Sequence, residues 1–310
     1  MKVFLAGATG ALGKQLVPQL VKAGHEVIGM TRSRDKVDLV RSLGAQPVVA
    51  DALDPEAVGH AISEAEPDAI VHQLTAIPQQ LDMRRPDRAF ALTNRLRTEG
   101  TDHLLSAANA AHVERFVAQS FAGWPFARAG GSVKTEQDPL DPSPAGNIAE
   151  TLAAIRHLEE AVTAAGGLVL RYGGFYGPGT NMSVDPPGTM VEMIRRRKFP
   201  VIGDGAGVWS FIHVEDAATA TVKALEHGEP GIYNVVDDDP APVSEWLPAI
   251  AAAIGAKPPR RVPRALARLL AGEAATLMMT ENRGASNTKA KQELSWRLRF
   301  SSWREGLASG

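Results

Sequence analysis

The sequence predicts an α/β protein with a parallel sheet covered by helices on both faces, and three observations support this prediction. Short apolar runs typical of buried strands alternate with stretches that carry apolar residues at helical spacing. A glycine-rich turn joins the first apolar run to the first helix. The chain has 310 residues, of which 44% are hydrophobic, so it is long enough for one large domain or two unequal ones.

The composition excludes several classes of protein. A formal net charge of −2 gives no general attraction for nucleic acid or for an anionic membrane surface. The chain has no cysteines, which excludes disulfides, thiolate nucleophiles and cysteine-ligated zinc, and no metal site is predicted. No apolar run approaches the roughly 18 residues of a membrane span, and the first strand begins too early for a signal peptide. We therefore expect a cytoplasmic protein that binds a small-molecule substrate.

The first element is a predicted strand–turn–helix–strand unit. An apolar run at residues 2–6 precedes Gly7, Gly10 and Gly13, a helical pattern follows, and residues 26–30 are typical of a second strand. In such a unit one glycine permits the tight turn, one lets the backbone approach a pyrophosphate, and one lets the helix pack on the strand. The helix N-terminus then presents N–H groups to the phosphates. The unit predicts a dinucleotide site; the alternative is an ordinary tight turn.

The glycine spacing resembles that of a known family. Gly-x-x-Gly-x-x-Gly, with Thr9 before the middle glycine, is similar to the short-chain dehydrogenase/reductase superfamily, and specifically to its extended NAD-dependent epimerase/dehydratase branch. This resemblance implies a Rossmann doubly wound parallel sheet of about seven strands. It also implies an NADP-binding domain over residues 1–177 and about 208–236, and a smaller C-terminal substrate-binding part over about 178–207 and 237–310.

The residues after the second strand refine the cofactor. A carboxylate there would accept hydrogen bonds from the ribose 2′-hydroxyl of NAD(H), but the chain reads Thr31-Arg32-Ser33-Arg34 and has no carboxylate before Asp35. A planar guanidinium suits a 2′-phosphate. We therefore favour NADP(H) over NAD(H), with solvated loop charges at Arg32 and Arg34 as the alternative interpretation.

Apolar patterning predicts the remaining elements in order. Further strands are expected at residues 47–50, 68–71, 115–120 and 167–171, and helices at about 36–43, 87–111, 148–165 and 190–197. Asp54 ahead of Pro55 is expected to cap a helix. Residues 121–147 are rich in glycine and proline, and a structureless run of this length is typical of a functional loop. Residues 78–86 are polar and suit a loop near the substrate.

The family resemblance implies which residues hold the cofactor. Asp51 matches the turn that holds the adenine, His72 is interpreted as a packing residue beside the ribose, and residues 171–179 resemble the motif whose backbone lies against the nicotinamide. The implied cofactor-binding residues are Gly7, Thr9, Gly10, Ala11, Leu12, Gly13, Thr31, Arg32, Asp51, Ala52, Leu53, Leu74, Thr75, Gln119, Gly174 and Phe175. A homodimer through the helices near 87–111 and 148–165 is a further expectation of the family.

The usual acid–base pair of the superfamily is missing from the sequence. In a Tyr-x-x-x-Lys pair both side chains share one helix face, the ammonium lowers the tyrosine pKa, and the phenol exchanges a proton with the substrate. Matched through Glu159, the two positions hold Thr151 and Ile155. An alkyl hydroxyl is far less acidic than a phenol, so Thr151 cannot replace the tyrosine near neutral pH.

Two residues remain as catalytic candidates. Ser120 ends the fifth strand, where it either hydrogen-bonds a substrate oxygen or satisfies a backbone group, and the position most often credited with catalysis is the next one, Phe121. Tyr176 is the leading candidate for the proton donor, because the family places its loop against the nicotinamide; alternatively it packs on the cofactor. Lys134 is a further group that could reach the cleft from the long loop, and His213 is interpreted as structural.

The sequence therefore predicts an NADP(H)-dependent oxidoreductase that acts on a small organic substrate without the Tyr-x-x-x-Lys pair, with water or the substrate supplying any proton. Aromatic residues near the expected cleft favour an apolar substrate; they are Phe121, Trp124, Phe126, Phe175 and Tyr176. The alternatives are an epimerase or dehydratase with a sugar-nucleotide-like substrate, and a non-catalytic NADP(H)-binding sensor or regulator. A buried apolar cleft would favour an enzyme, and a filled cleft would favour a sensor.

Overall fold

The computed structural model describes residues 1–78 and 82–308. Its strands are β1 (Lys2–Ala6), β2 (Glu26–Thr31), β3 (Gln46–Val49), β4 (Ala69–His72), β5 (Arg115–Phe121), β6 (Val133–Lys134), β7 (Leu168–Tyr172), β8 (Gly174–Tyr176), β9 (Val201–Ile202), β10 (Val208–Trp209), β11 (Phe211–His213), β12 (Gly231–Val235), β13 (Ala241–Pro242), β14 (Arg261–Val262) and β15 (Gly284–Ala285). Its helices are α1 (Ala11–Lys22), α2 (Val37–Ser42), α3 (Pro55–Ala65), α4 (Pro86–Arg97), α5 (Glu99–Ala110), α6 (Ala149–Ala164), α7 (Thr189–Arg195), α8 (Val214–Glu226), α9 (Val243–Ala253), α10 (Arg264–Ala271), α11 (Glu273–Thr280), α12 (Thr288–Glu293) and α13 (Trp303–Ala308).

The centre of the fold is a seven-stranded sheet in the order β12-β7-β5-β4-β1-β2-β3. Every pairing within it is parallel. Chain order runs outward from β1 to β3 on one side and from β4 on the other, so the strand order reverses between β1 and β4. Ligands of such sheets bind in the crevice outside the carboxyl ends of the strands at this reversal. The predicted doubly wound parallel sheet is confirmed.

Helices cover both faces of this sheet, because its central strands are apolar throughout. All four residues of β4 are buried, as are the last four of β1. One face packs against α1 and α8 through side chains such as Leu16 and Ala217. The other face packs against α3, α5 and α6 through side chains such as Ile62, Leu104 and Leu158. Because both faces of the sheet are covered, successive residues of these strands are all buried. The strands are therefore apolar throughout and do not alternate with polar residues.

Helix boundaries follow local capping chemistry, with one departure from expectation. The Asp54 carboxylate accepts hydrogen bonds from the N–H groups of Glu56 and Ala57, both at 3.1 Å, which confirms the predicted cap. The single helix predicted over 87–111 is wrong: α4 and α5 are separated at Thr98, where φ is −96° and ψ is −85°. The Thr98 hydroxyl donates to the carbonyl of Asn94 at 3.1 Å, a back-bond that competes with regular helix geometry.

A separate apolar cluster, here called the C-terminal cluster, joins segments from the second half of the chain. Tyr176, Phe211, Trp246 and Trp303 are fully buried within it. The long segment at 121–147 is more ordered than the sequence predicted, since β6 pairs with β15 and a bridge joins Phe126 to Leu140. Across residues 1–78 and 82–308, no helix is long and apolar enough to cross a membrane.

Candidate active site

A groove of about 240 Å³ lies beyond the carboxyl ends of β1 to β4. It includes many of the residues predicted to hold the cofactor. The groove is lined by Gly7, Thr9, Gly10, Met30, Thr31, Arg32, Ser33, Lys36, Ala50, Asp51, Ala52, Gln73, Leu74, Thr75, Ala76 and Leu96. The turns after four successive strands therefore contribute to one cavity at the reversal of strand order.

The glycine turn fits a dinucleotide by its geometry. Gly7 has a φ of +104°, and a Cβ there would lie 2.8 Å from the carbonyl oxygen of Gln73. A Cβ on Gly13 would overlap the Gly7 carbonyl oxygen and the backbone of Ala8. A Cβ on Gly10 would meet only the Gly7 oxygen, at 3.4 Å, so this position is open toward the groove. The turn is therefore closely packed at Gly7 and Gly13 and open toward the groove at Gly10. This geometry suits the approach of a pyrophosphate to the N-terminus of α1.

One end of the groove is basic. Arg32 and Lys36 are exposed there beside the half-buried Ser33, whose N–H donates to the Thr31 hydroxyl at 3.3 Å. Lys36 was not predicted; the 3₁₀ turn over Arg34–Lys36 folds it back onto the groove. Arg34 does not line the groove, although the sequence placed it beside Arg32. These side chains have the donors that a ribose 2′-phosphate requires.

Two predicted residues shape the groove through local hydrogen bonds. Asp51 lines it and accepts a hydrogen bond from the N–H of Leu53 at 3.0 Å, which holds the turn after β3. His72 is buried, lies 3.1 Å from the Thr101 hydroxyl, and accepts a hydrogen bond from the N–H of Leu74 at 3.3 Å. Burial lowers the pKa of His72 to about 4, so its ring is neutral at physiological pH and acts as a packing residue.

Other predicted cofactor residues lie outside the groove. Leu12 lies on the buried face of α1, and Leu53 packs against the apolar cluster that includes residues of α3. Phe175 packs on Tyr172 with ring centroids 5.4 Å apart, and Gly174 lines the neighbouring cleft instead. The predicted positions that do not line the groove are Ala11, Leu12, Gly13, Leu53, Gln119, Gly174 and Phe175.

A second cavity of about 180 Å³, here called the cleft, adjoins the groove. Ala76 lines the groove and its neighbour Ile77 lines the cleft, so the two cavities meet at the segment after β4. The cleft is lined by Ile77, Met83, Phe90, Arg97, Phe121, Ala122, Trp124, Thr151, Gly174, Trp209, Ser210, Met278 and Asn282. Part of the predicted loop at 78–86, residues 79–81, lies outside the described residues. Most of the lining is apolar or aromatic, as predicted for an enzyme of this type.

The two residues that the family resemblance matches to an acid–base pair, Thr151 and Ile155, lie on α6. Thr151 is fully buried at the edge of the cleft; its hydroxyl donates to Asp87 at 2.8 Å and accepts from the Asn94 amide at 3.2 Å. Ile155 is buried and apolar. Asn94, on α4, thus contacts α6 through this hydrogen bond. Neither pair position carries a group that titrates near neutral pH.

Ser120 belongs to a buried ionic network. Its hydroxyl donates to Glu159 at 2.6 Å, and the guanidinium of Arg171 donates to the same carboxylate at 2.8 and 2.6 Å. All three side chains are buried. The serine therefore satisfies a carboxylate rather than a backbone group, and it does not line the cleft.

The structure does not bring Tyr176 to the cleft, contrary to expectation. The side chain is fully buried in the C-terminal cluster, edge-on to His213 with ring centroids 5.1 Å apart. The Tyr176 hydroxyl donates a hydrogen bond to the carbonyl of Ser302 at 3.4 Å, and burial raises the pKa of this hydroxyl above its ordinary value. A group so placed has no path to a substrate, because it packs against α13 rather than against the cleft.

Two other candidates are structural. Lys134 is buried and donates to the carbonyl of Ala129 at 2.6 Å and to Asp138 at 3.3 Å. His213 caps α8 by accepting a hydrogen bond from the N–H of Glu215 at 3.3 Å. Within the described ranges, no group of three or more His, Asp or Glu side chains could hold a metal ion.

Two polar residues of the cleft were not predicted. Asn282 donates to the carbonyl of Val208 at 2.9 Å, and its Oδ1 is buried without a partner in the described structure. Arg97 lies on the buried face of α4, one turn after Asn94. A charge at a helical position that the pattern assigns to the interior is the signal that could have identified it.

Comparison with known proteins identifies the family of the chain. The NAD-dependent epimerase/dehydratase family matches residues 3–235. A 3-diazoavenalumate denitrifying reductase from a Streptomyces species is 46% identical over 312 residues, covering 99% of both chains. A 2-alkyl-3-oxoalkanoate reductase from Stenotrophomonas maltophilia is 26% identical over 269 residues, covering 83% of this chain and 76% of that protein.

Solved structures show the same fold. The UDP-glucose 4-epimerase of Thermotoga maritima, determined with UDP-glucose, superposes with a TM-score of 0.78 at 21% identity, covering 99% of this chain and 96% of that one. The match extends over the parallel sheet, the glycine turn and the C-terminal cluster, and several of the sequence relatives are reductases. The chain is an enzyme of the oxidoreductase type and belongs to the NAD-dependent epimerase/dehydratase family.

Proposed function

We propose that this enzyme is an NADP(H)-dependent reductase that directs a hydride onto a small aromatic substrate without an acid from the protein. One observation carries the proposal: among the cleft residues that the structure describes, Arg97 is the sole ionisable side chain, and Thr151 and Ile155 lie buried at the pair positions. A guanidinium does not act as an acid near neutral pH. The cleft therefore suits a substrate that needs no proton from the enzyme.

The groove supports NADP(H) as the cofactor. Arg32, Ser33 and Lys36 would hold the 2′-phosphate, and the turn from Gly7 to Gly10 would hold the pyrophosphate. The bound nicotinamide supplies a hydride, and the protein contributes binding, orientation and exclusion of water. Because the groove and the cleft meet at Ala76 and Ile77, a substrate in the cleft lies beside the cofactor-binding groove.

The missing acid narrows the class of substrate. A carbonyl that accepts a hydride becomes an alkoxide, which requires a proton. An aryl diazonium ion that accepts a hydride at its terminal nitrogen becomes a neutral aryl diazene. The diazene loses N₂ and its N–H hydrogen moves to the ring carbon, so the arene forms without a proton from the enzyme. The Streptomyces relative at 46% identity is a 3-diazoavenalumate denitrifying reductase. We therefore infer an aryl diazo compound as the substrate class.

The dimensions of the cleft agree with a single substituted ring. An apolar cavity of roughly 150 Å³ binds benzene, and the cleft has about 180 Å³. Phe121, Trp124 and Trp209 provide aromatic surfaces for stacking. A sugar-nucleotide epimerase is less well supported, because the usual mechanism of this family employs the tyrosine that Thr151 replaces.

The test compares two classes of substrate. Purified protein is incubated with NADPH deuterated at the reactive carbon and with benzenediazonium or acetophenone, beside mixtures without protein. We expect protein-dependent oxidation of NADPH with benzenediazonium and deuterium in the benzene formed, and no reduction of acetophenone. Reduction of acetophenone alone would overturn the substrate class, and failure to bind NADPH would overturn the cofactor assignment.

A further inference from the structure

The cleft contains a buried cation that has no partner among the described residues. Arg97 is 7% exposed and lines the cleft from the end of α4. Within residues 1–78 and 82–308 its guanidinium makes no hydrogen bond and no ion pair. The residues outside these ranges, 79–81 and 309–310, carry no acidic side chain that could pair with it.

The carboxylate that acts electrostatically on Arg97 already has other hydrogen-bond partners. Glu159 attracts Arg97 electrostatically. The same carboxylate accepts two hydrogen bonds from Arg171, at 2.8 and 2.6 Å, and one from Ser120 at 2.6 Å. The Arg171–Glu159 pair is neutral as a unit, so the charge of Arg97 remains uncompensated beside the apolar cleft.

An uncompensated buried charge is costly for the fold. Removing a cation from water without a partner is strongly unfavourable, because the lost hydration is not replaced. Burial lowers the pKa of Arg97 to about 10, and the group therefore remains protonated at neutral pH. A methionine of similar length would pack there without that penalty. A residue that lowers stability in a binding cavity is typical of a functional position.

The cofactor does not account for this charge. Its phosphates would be held by the glycine turn and by Arg32, Ser33 and Lys36 in the groove, whereas Arg97 lines the cleft. A nicotinamide carries a neutral amide. The partner of Arg97 is therefore expected on the other ligand, the substrate.

We propose that Arg97 is a substrate-positioning residue that binds an anionic oxygen group, a carboxylate or a phenolate, on the aromatic substrate. A guanidinium presents a planar fork of donors that matches a carboxylate. Pairing in the dry cleft would compensate both charges and fix the ring against Phe121 and Trp124. The reaction assigned to such a substrate depends on the proposed function, but binding of the anion does not.

The test is a calorimetric titration of protein saturated with NADP⁺, using stable probes. Cinnamate is compared with cinnamamide, and 4-nitrophenolate with nitrobenzene, for the wild type, Arg97→Met, Arg97→Lys and Arg95→Met. Arg95 is the matched control, because it lies on the same helix, is exposed, and pairs with Glu99 at 2.7 Å. The two pairs of probes distinguish a carboxylate from a phenolate.

We expect the wild type to prefer an anion over its neutral partner, and Arg97→Met to weaken anion binding on the order of 10- to 100-fold. Arg97→Lys should retain part of the preference, and Arg95→Met should retain all of it. Arg97→Met should also melt at the same or a higher temperature, because an unpaired buried charge is removed. A merely structural arginine would lower the melting temperature instead.

Two results would overturn the inference. One is an equal affinity of the wild type for anionic and neutral probes, and the other is an equal loss of affinity for both kinds of probe in Arg97→Met. Neither depends on turnover, so the two proposals fail separately. Anion binding through Arg97 without reduction of benzenediazonium would remove only the proposed function. Reduction of an anionic aryl diazonium with unchanged kcat/KM in Arg97→Met would remove only the role of Arg97.

Discussion

Buried charged side chains of this enzyme differ in whether they have partners. Arg171 is buried and forms a bidentate pair with Glu159, whereas Arg97 is equally buried and has none in the described structure. Asp237 is a third case: Oδ1 accepts a hydrogen bond from the N–H of Asp239 at 3.2 Å, and Oδ2 is buried with no partner within the described part of the chain. Because desolvation dominates such sites, each unpaired group leads to a measurable prediction.

Substitution of the basic end of the groove is expected to change cofactor preference. Arg32→Ala and Lys36→Ala should each weaken NADPH binding by about 10-fold or more, since each removes a charged donor from the 2′-phosphate. NADH binding should change little, because it lacks that phosphate. Fluorescence titration with both nucleotides measures this, with Arg34→Ala as the control, since Arg34 is exposed and does not line the groove. Equal losses for NADPH and NADH would refute the assignment.

Asp237 is expected to make stability depend on pH. Burial raises its pKa to about 8, whereas an unfolded aspartate titrates near ~4. Between these values the folded state holds a proton that the unfolded state has released, so this contribution to stability is lost as pH rises from ~4 to ~8. The loss is at most about 1.4 kcal/mol for each pH unit in that window.

Asp237→Asn should therefore raise the melting temperature more at about pH 8 than at about pH 5. Asp38→Asn is the control, since that carboxylate is exposed and pairs with Arg41 at 3.0 Å. A gain in melting temperature from Asp237→Asn that does not grow with pH would contradict a protonated Asp237.

At the scale of elements, the contact of α1 with the glycine turn decides whether the groove forms. Gly13 lies within α1, directly over the backbone of Gly7 and Ala8. The closeness of this contact lets the helix N-terminus face the groove while Leu16 and Leu20 pack on the sheet. The break between α4 and α5 matters similarly, because Arg97 is the last residue of α4 and faces the cleft.

Gly13→Ala should push α1 away from the sheet. The added methyl overlaps backbone atoms that cannot move aside, and overpacking of this kind costs about 1–3 kcal/mol. Affinity for NADPH should fall as well, because the turn is displaced. Gly59→Ala is the matched control: Gly59 lies within α3, and a Cβ there has no atom within 4 Å. The free energy of unfolding of Gly59→Ala should exceed that of the wild type by about 0.5–1 kcal/mol. Urea unfolding measures both, and a Gly13→Ala protein as stable as wild type would refute the contact.

At the scale of the whole molecule, the reversal of strand order between β1 and β4 brings groove and cleft together. The groove collects the turns after β1 to β4, and the cleft adds residues from α4, β5, α6 and the C-terminal segments. Cleft residues as distant in sequence as Ile77 and Asn282 meet because the C-terminal cluster packs beside the sheet ends. In the proposed function, this arrangement would place a substrate in the cleft beside a cofactor in the groove.

The sequence alone determined the strands of the sheet, the capped helices and the glycine turn, because periodicity, capping and turn preferences act over a few residues. It also placed Arg32 directly after the second strand. The prediction that Thr151 and Ile155 stand at the positions of the usual acid–base pair rests on the family resemblance, through the match at Glu159. Only the tertiary structure decided that Tyr176 packs away from the cleft, that Ser120 is bound to Glu159, and that Arg97 faces the cleft with no partner in residues 1–78 and 82–308. These outcomes depend on contacts between segments far apart in the chain, where burial and pairing, rather than local pattern, set what each polar group can do.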